Sequence, residues 1–266
     1  MILDELANAT RKRIEEQKQT VSFDRVREEA ERIAAKEKEK GFTFPFERAL
    51  GAEGLSVISE VKKASPSKGV IAEEFPYLAI AREYEKSGAD AVSVLTEPSR
   101  FRGADSYLKE IAADISIPAL RKDFTVDPYM IYQAKILGAS AVLLIAAILS
   151  DRELSEYYEI AQSLGLSCLF EAHDGEEVDR CLGAGARILG VNNRNLKDFT
   201  VDFHNSIRLR DRVPEDVIFV SESGIEKPED VKELVANRTD AVLIGEMLMR
   251  SSDKGDLIRR LKAYGA

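Results

Sequence analysis

The chain has almost no cysteine. Cys168 and Cys181 are the only two in 266 residues, and they lie far from any CxxC spacing, in or beside apolar runs. That argues against a disulfide framework or a thiolate metal site and fits a reducing, cytoplasmic setting. Cations are outnumbered, 38 Lys and Arg against 47 Asp and Glu, so the net charge is −9 and general nucleic-acid binding has no electrostatic basis. An anionic ligand would have to be captured by local cations. No apolar run is long enough to span a membrane. The start, MILDELANATRKRIEEQ, carries acid from Asp4 onward, unlike a signal peptide.

What is present is core-forming material. Apolar residues make up 44% of the chain and charged residues 32%, which argues against disorder, and the length of 266 matches the roughly 250 residues of one closed α/β barrel. Residues 1–50 read as a helical extension, with Leu3, Leu6 and Ile14 on an apolar stripe and a charge-dense, solvated stretch from Asp24 to a stop at Gly41.

Residues 51–266 change character. Eight short apolar runs, each followed by an amphipathic stretch, begin at Leu55, Ala89, Ile117, Ala139, Leu166, Arg187, Asp216 and Asp240. SGADAVSVL, LGASAVLLI and RTDAVLIG restate one phrase, a helix end turning into a buried strand. Buried strands alternating with helices predict a parallel sheet, and eight of them favour a single (β/α)8 TIM barrel. No GxGxxG follows the first run, which disfavours the open doubly wound alternative.

Six of the eight runs end on polar residues: Glu60 and Lys62, Lys122 and Asp123, Glu171 and His173, Asn192 and Arg194, Glu222 and Ser223, Gly245 and Glu246. Any single one reads equally as an ordinary salt bridge. Together they point to a site, because in a barrel the carboxyl ends of the strands share one mouth and charges there are retained for a reason. Residues two apart on a strand face the same way, so Glu60 with Lys62, and Glu171 with His173, form pairs. Lysine suits such a place, since burial can lower its pKa toward neutrality, and carboxylates supply bases. The glycines in Ser223-Gly224-Ile225 and Ile244-Gly245-Glu246 free backbone amides for a phosphate, with a short extra helix expected from Glu246. The residues alone thus predict acid-base chemistry on a small phosphorylated molecule.

EVKKASPSKG from Glu60, LRKDF from Leu120, VLLIAAIL from Val142, FEAH from Phe170, GVNNRNL from Gly190, SESGI from Ser221 and IGEMLMR from Ile244 resemble indole-3-glycerol phosphate synthases, in the family's order. The resemblance implies ring closure of 1-(2-carboxyphenylamino)-1-deoxyribulose 5-phosphate, with loss of carbon dioxide and water, on the tryptophan pathway. It implies no metal and no organic cofactor, and a chain that works as a monomer or weak homo-oligomer. Lys122 resembles the family's general acid and Glu171 its carboxylate partner. Glu60 and Lys62 resemble a substrate-orienting pair, and Asn192, Glu222 and Ser223 residues that position the intermediate. Lys62, Ser65, Arg194, Gly224, Gly245 and Glu246 match the phosphate positions. Phe101, Phe124, Leu143 and Leu196 match the anthranilate pocket, plain barrel packing being the competing reading. Thr125 and Ala104 depart from the pattern, a larger aliphatic and a serine being expected there.

Three other readings compete. Phosphoribosylanthranilate isomerases resemble this architecture but rely on a cysteine and aspartate pair, where this first run ends in Glu60 and Lys62. A Schiff-base aldolase would use Lys62 or Lys122 as nucleophile. A catalytically silent phosphate-binding barrel should have lost at least one of Glu60, Lys62, Lys122, Glu171 and Asn192.

Overall fold

The computed structural model describes residues 2–195 and 198–265, and within them eight parallel strands alternate with helices. The strands are β1 (Ser56–Val61), β2 (Ala91–Leu95), β3 (Ala119–Lys122), β4 (Ala141–Ile145), β5 (Ser167–Ala172), β6 (Ile188–Asn192), β7 (Ile218–Glu222) and β8 (Ala241–Ile244). Each lies inside one of the eight apolar runs. Ile58 of β1 pairs with Ala91 of β2 on one side and Leu243 of β8 on the other, so the sheet closes on itself. The expected (β/α)8 barrel is present.

Strand periodicity divides the core in two. Outward residues such as Val57, Val92, Val142 and Phe170 pack beneath the surrounding helices. Inward residues such as Ile58, Leu120, Leu169 and Val220 fill the barrel. The repeated phrase has a physical cause. Gly88, Gly138 and Arg238 end their helices with φ of +91°, +85° and +60°, the left-handed turn that sends the chain back into a strand. Asp90 and Asp240, two residues on, accept the backbone amides of Val57 and Phe219. Ala104, where serine was expected, is the N-cap of helix Asp105–Asp114 and offers no side-chain cap.

Three helices precede β1: α1 (Ile2–Thr20), α2 (Phe23–Lys38) and α3 (Pro45–Leu50). The sequence reading gave this region no internal break before Gly41. Ser22 supplies one, its hydroxyl accepting from the Arg25 amide at the start of α2. α2 lies on the barrel's flank, where Lys135 of helix Pro128–Ile136 meets Glu37 at 2.5 Å. α3 lies under the amino end, with Phe46 and Leu50 fully buried among the inward residues. α1 runs to the opposite end. Its Arg13 and Lys18 reach Asp123 and Asp127, just past β3, at 2.8 and 2.7 Å.

Candidate active site

A cavity of about 940 Å³ opens at the carboxyl ends of the strands. Glu60, Lys122, Glu171, Asn192 and Glu222 stand at the ends of β1, β3, β5, β6 and β7 and all line it. The alternation of a strand explains their shared direction: Glu60, Lys122, Glu171 and Glu222 each lie two residues beyond an inward apolar one, Ile58, Leu120, Leu169 and Val220 in turn, and Asn192 lies two beyond Gly190, where a β-carbon would meet Glu222 and Leu169.

Lys122 is the centre of the charge cluster. Its Nζ is 2.8 Å from Glu171 Oε2 and 3.4 Å from Glu222 Oε2. Burial by itself pulls the ammonium down, but the charges of Glu171, Glu222 and Glu60 outweigh it and hold Lys122 well above the usual lysine range. The expected lowering of a strand-end lysine is therefore reversed at Lys122, because its neighbours are carboxylates and not cations. The two carboxylates that share it diverge. Burial raises both, yet the charges of Lys122 and His173 and hydrogen bonds from Lys122 and Asn192 hold Glu171 below the usual range. Glu222 is pushed up to about 8 by burial and by the charges of Glu171 and Glu60, against the pull of Lys122. Its Oε1 has no hydrogen-bond partner among the described residues. A β-carbon at Gly190 would overlap that oxygen, so glycine on β6 makes room for this carboxyl.

Across the cavity Lys62 donates to Glu60 Oε1 at 2.5 Å. A β-carbon at Gly245 would run into both side chains, so Gly245 allows the pair to face the space above β8. Ser65, Arg194, Gly224 and Glu246 surround that space. Arg194 is fixed by donation of its amide to Asn192 Oδ1 at 3.0 Å and of its Nη1 to Phe199 O at 3.3 Å. Ser223 and Gly224 turn through positive φ of +68° and +88°. The expected short extra helix is Glu246–Arg250.

The apolar wall is formed by Phe101, Phe124 and Leu143, the two rings 6.2 Å apart and tilted. Leu196, expected with them, lies outside the described residues. Sequence reasoning missed the contribution of α1 to the apolar lining, Ile2, Leu3 and Leu6, whose stripe was legible but whose docking place was not. It also missed Glu97, one residue beyond the second run. Its carboxylate accepts the amides of Ser99, Arg100 and Phe101 and so shapes the loop that carries Phe101. Thr125, the other departure, is buried beside Phe124.

A closed barrel whose mouth holds a buried lysine between two carboxyl groups of divergent acidity has the make-up of an acid-base enzyme. The family model for indole-3-glycerol phosphate synthase matches residues 3–261. The chain belongs to the indole-3-glycerol phosphate synthase family. It is 54% identical to the indole-3-glycerol phosphate synthase of Ruminiclostridium cellulolyticum, over 98% of this chain and 99% of that one. It is 53% identical to that of Endomicrobium trichonymphae, over 98% and 100%. Among solved structures it resembles 3-hexulose-6-phosphate synthase from Salmonella typhimurium with a TM-score of 0.65. That match has 14% identity and covers 79% of this chain and 98% of the other, a likeness of fold alone.

Proposed function

We propose that the protein closes the indole ring of 1-(2-carboxyphenylamino)-1-deoxyribulose 5-phosphate, releasing carbon dioxide and water to leave indole-3-glycerol phosphate. The observation that carries this reading is the position of Lys122, an ammonium held between the buried side chains of Glu171 and Glu222 in a cavity that also has an apolar wall. The aromatic ring lies against Phe101, Phe124 and Leu143. The phosphate binds among Ser65, Arg194, Gly224, Gly245 and the amide of Glu246, with Lys62 adding charge. Local cations thus offset the net charge of −9.

Ring closure needs a proton on the ketone oxygen as the ring carbon attacks it. A ketone oxygen is a poor base, but the alkoxide that forms is more basic than an amine. An ammonium kept charged at neutral pH therefore releases its proton when the bond is made. Lys122 fills that role. Glu171 stabilises the positive charge that develops on the ring, and loss of the carboxylate as carbon dioxide restores aromaticity; the former ketone oxygen, now a hydroxyl, then leaves as water on protonation while the neighbouring ring CH2 gives up a proton to form the double bond, with help from Glu60 and Lys62. Asn192, Glu222 and Ser223 hold the intermediate. Acids and bases suffice for each step, so the reading calls for no metal or organic cofactor. The buried thiols of Cys168 and Cys181 support a cytoplasmic setting, and we read the chain as a monomer or weak homo-oligomer.

The chain contains no tryptophan and eight tyrosines, so indole product fluorescence can be followed with excitation beyond the tyrosine band. Purified protein incubated with the anthranilate ribulose phosphate is expected to develop that fluorescence equally with and without EDTA. Absence of signal in both would overturn the reading, and a signal only without EDTA would overturn its metal independence.

A further inference from the structure

His173 takes no part in the chemistry above, yet it is a titratable side chain with only 17% of its surface exposed. It follows Glu171 by two residues and faces the same way, its Nε2 3.5 Å from Glu171 Oε1, an ion-pair separation with no hydrogen bond formed by Nε2 among the described residues. On the other edge of the ring, Nδ1 is 3.0 Å from Glu177 Oε2. The same Glu177 oxygen accepts the His173 backbone amide at 2.8 Å. Glu177 is itself anchored, its amide donating to Asp174, the N-cap of helix Gly175–Gly183. Asn205 Nδ2 donates to the His173 carbonyl at 2.9 Å.

A neutral imidazole carries one N–H and one bare lone pair. In either tautomer the bare nitrogen here would face a carboxylate. Only the imidazolium presents a proton to both. The other titratable groups facing the ring are Glu222 on β7, which favours the cation once it ionises, and Lys122 on β3, which meets Glu171 from the far side. Burial opposes the charge, but Glu177 and Glu171 outweigh it and hold the ring above the usual histidine range.

We propose that His173, clamped as an imidazolium between Glu171 and Glu177, is a positioning residue that gives Glu171 a second cation and so frees Lys122 to donate its proton. The catalytic half of this inference rests on the ring-closure reading; the charge state of the ring does not. Glu171 carries Lys122 on one oxygen and His173 on the other. With both in place, the proton of Lys122 can leave without stranding a buried carboxylate. With His173 neutral, Lys122 is the only counter-ion and its ammonium is held more firmly.

The chain has two histidines, so the His204→Gln variant, changed at an exposed position, shows a single imidazole by nitrogen NMR. Both ring nitrogens of His173 are expected to be protonated at neutral pH. A neutral tautomer there overturns the clamp whatever the activity. In the full-length enzyme, His173→Gln is expected to lower kcat about tenfold near neutral pH with KM little changed. That gap should close as pH rises through the His173 titration, because the wild type then loses the same charge. A gap that stays constant with pH would be the signature of a structural contact and overturns the positioning role. If His173→Gln does not fold, the NMR measurement still decides the charge. A wild type that forms no indole while its ring stays doubly protonated sinks the ring-closure reading and the catalytic half, and leaves the clamp standing.

Discussion

Both ends of the barrel are closed by helices from the same N-terminal segment, and they are closed differently. At the amino end α3 seats Phe46 and Leu50, both fully buried, among the inward residues of the strands. At the carboxyl end α1 spans a gap, touching the rim through Leu3, Leu6 and the pair Arg13 to Asp123 while a cavity of about 940 Å³ stays beneath it. One end is a plug and the other a roof. The difference suggests a division of labour, in which an apolar floor supplies stability so that the mouth can hold buried charges and strained loops that stability alone would disfavour.

The sharpest way to break this division is to damage each end in turn. Phe46→Ala removes a fully buried ring and is expected to lower stability by about 3–5 kcal/mol, with kcat of the folded fraction unchanged. Denaturant unfolding and turnover measured on one preparation check both halves. A loss of kcat matching the loss of stability would mean that the floor is part of the site. Lys122→Ala should act on the chemistry instead, lowering kcat by at least about 100-fold in the folded fraction while phosphate still binds. Unchanged turnover would remove Lys122 from the chemistry.

The two ends also differed in how far they could be read from sequence. Buried parallel strands announce themselves as continuous apolar runs, and each of the eight contains its strand, so the barrel was legible. The carboxyl-end residues were legible for the same reason: a charge closing an apolar run has nowhere to go but the rim. Glu97 escaped because it lies just beyond Thr96, where the second run appeared to end. The roof was illegible, because the stripe of Leu3 and Leu6 states that α1 packs against something but not against which end. The rise in the Lys122 pKa could not be read either. Its sign depends on three carboxylates from three strands that meet only when the barrel closes.

Trimming the roof sharpens the contrast at smaller cost. Replacing Leu3 and Leu6 together by alanine withdraws two apolar side chains from the cavity wall and should raise KM by about tenfold with little change in kcat. Substrate titration checks it, and an unchanged KM would make α1 a bystander at the mouth.

A pH series tests whether the mouth gives up stability to keep its charges. Glu222 titrates at about 8 in the folded protein, far above an unfolded glutamate near ~4.3. Between those values the folded state holds a proton that the unfolded state has released, so this group's contribution to stability falls as pH rises through the window and is gone above it. Glu171 has the opposite sign: held low by Lys122 and His173 against the effect of burial, it contributes above the usual glutamate range and loses that contribution as pH falls toward about 2. Glu222→Gln cannot ionise, so it escapes the first effect and leaves the second in place. Its unfolding midpoint should match the wild type at the acid edge of the window and exceed it by a margin that grows up to about pH 8. Thermal unfolding at a series of pH values measures the margin. A margin that shrinks with rising pH would mean that Glu222 is ionised and favourably paired in the folded state, and the proposed division between a stabilising floor and a functional mouth would then lose its clearest support.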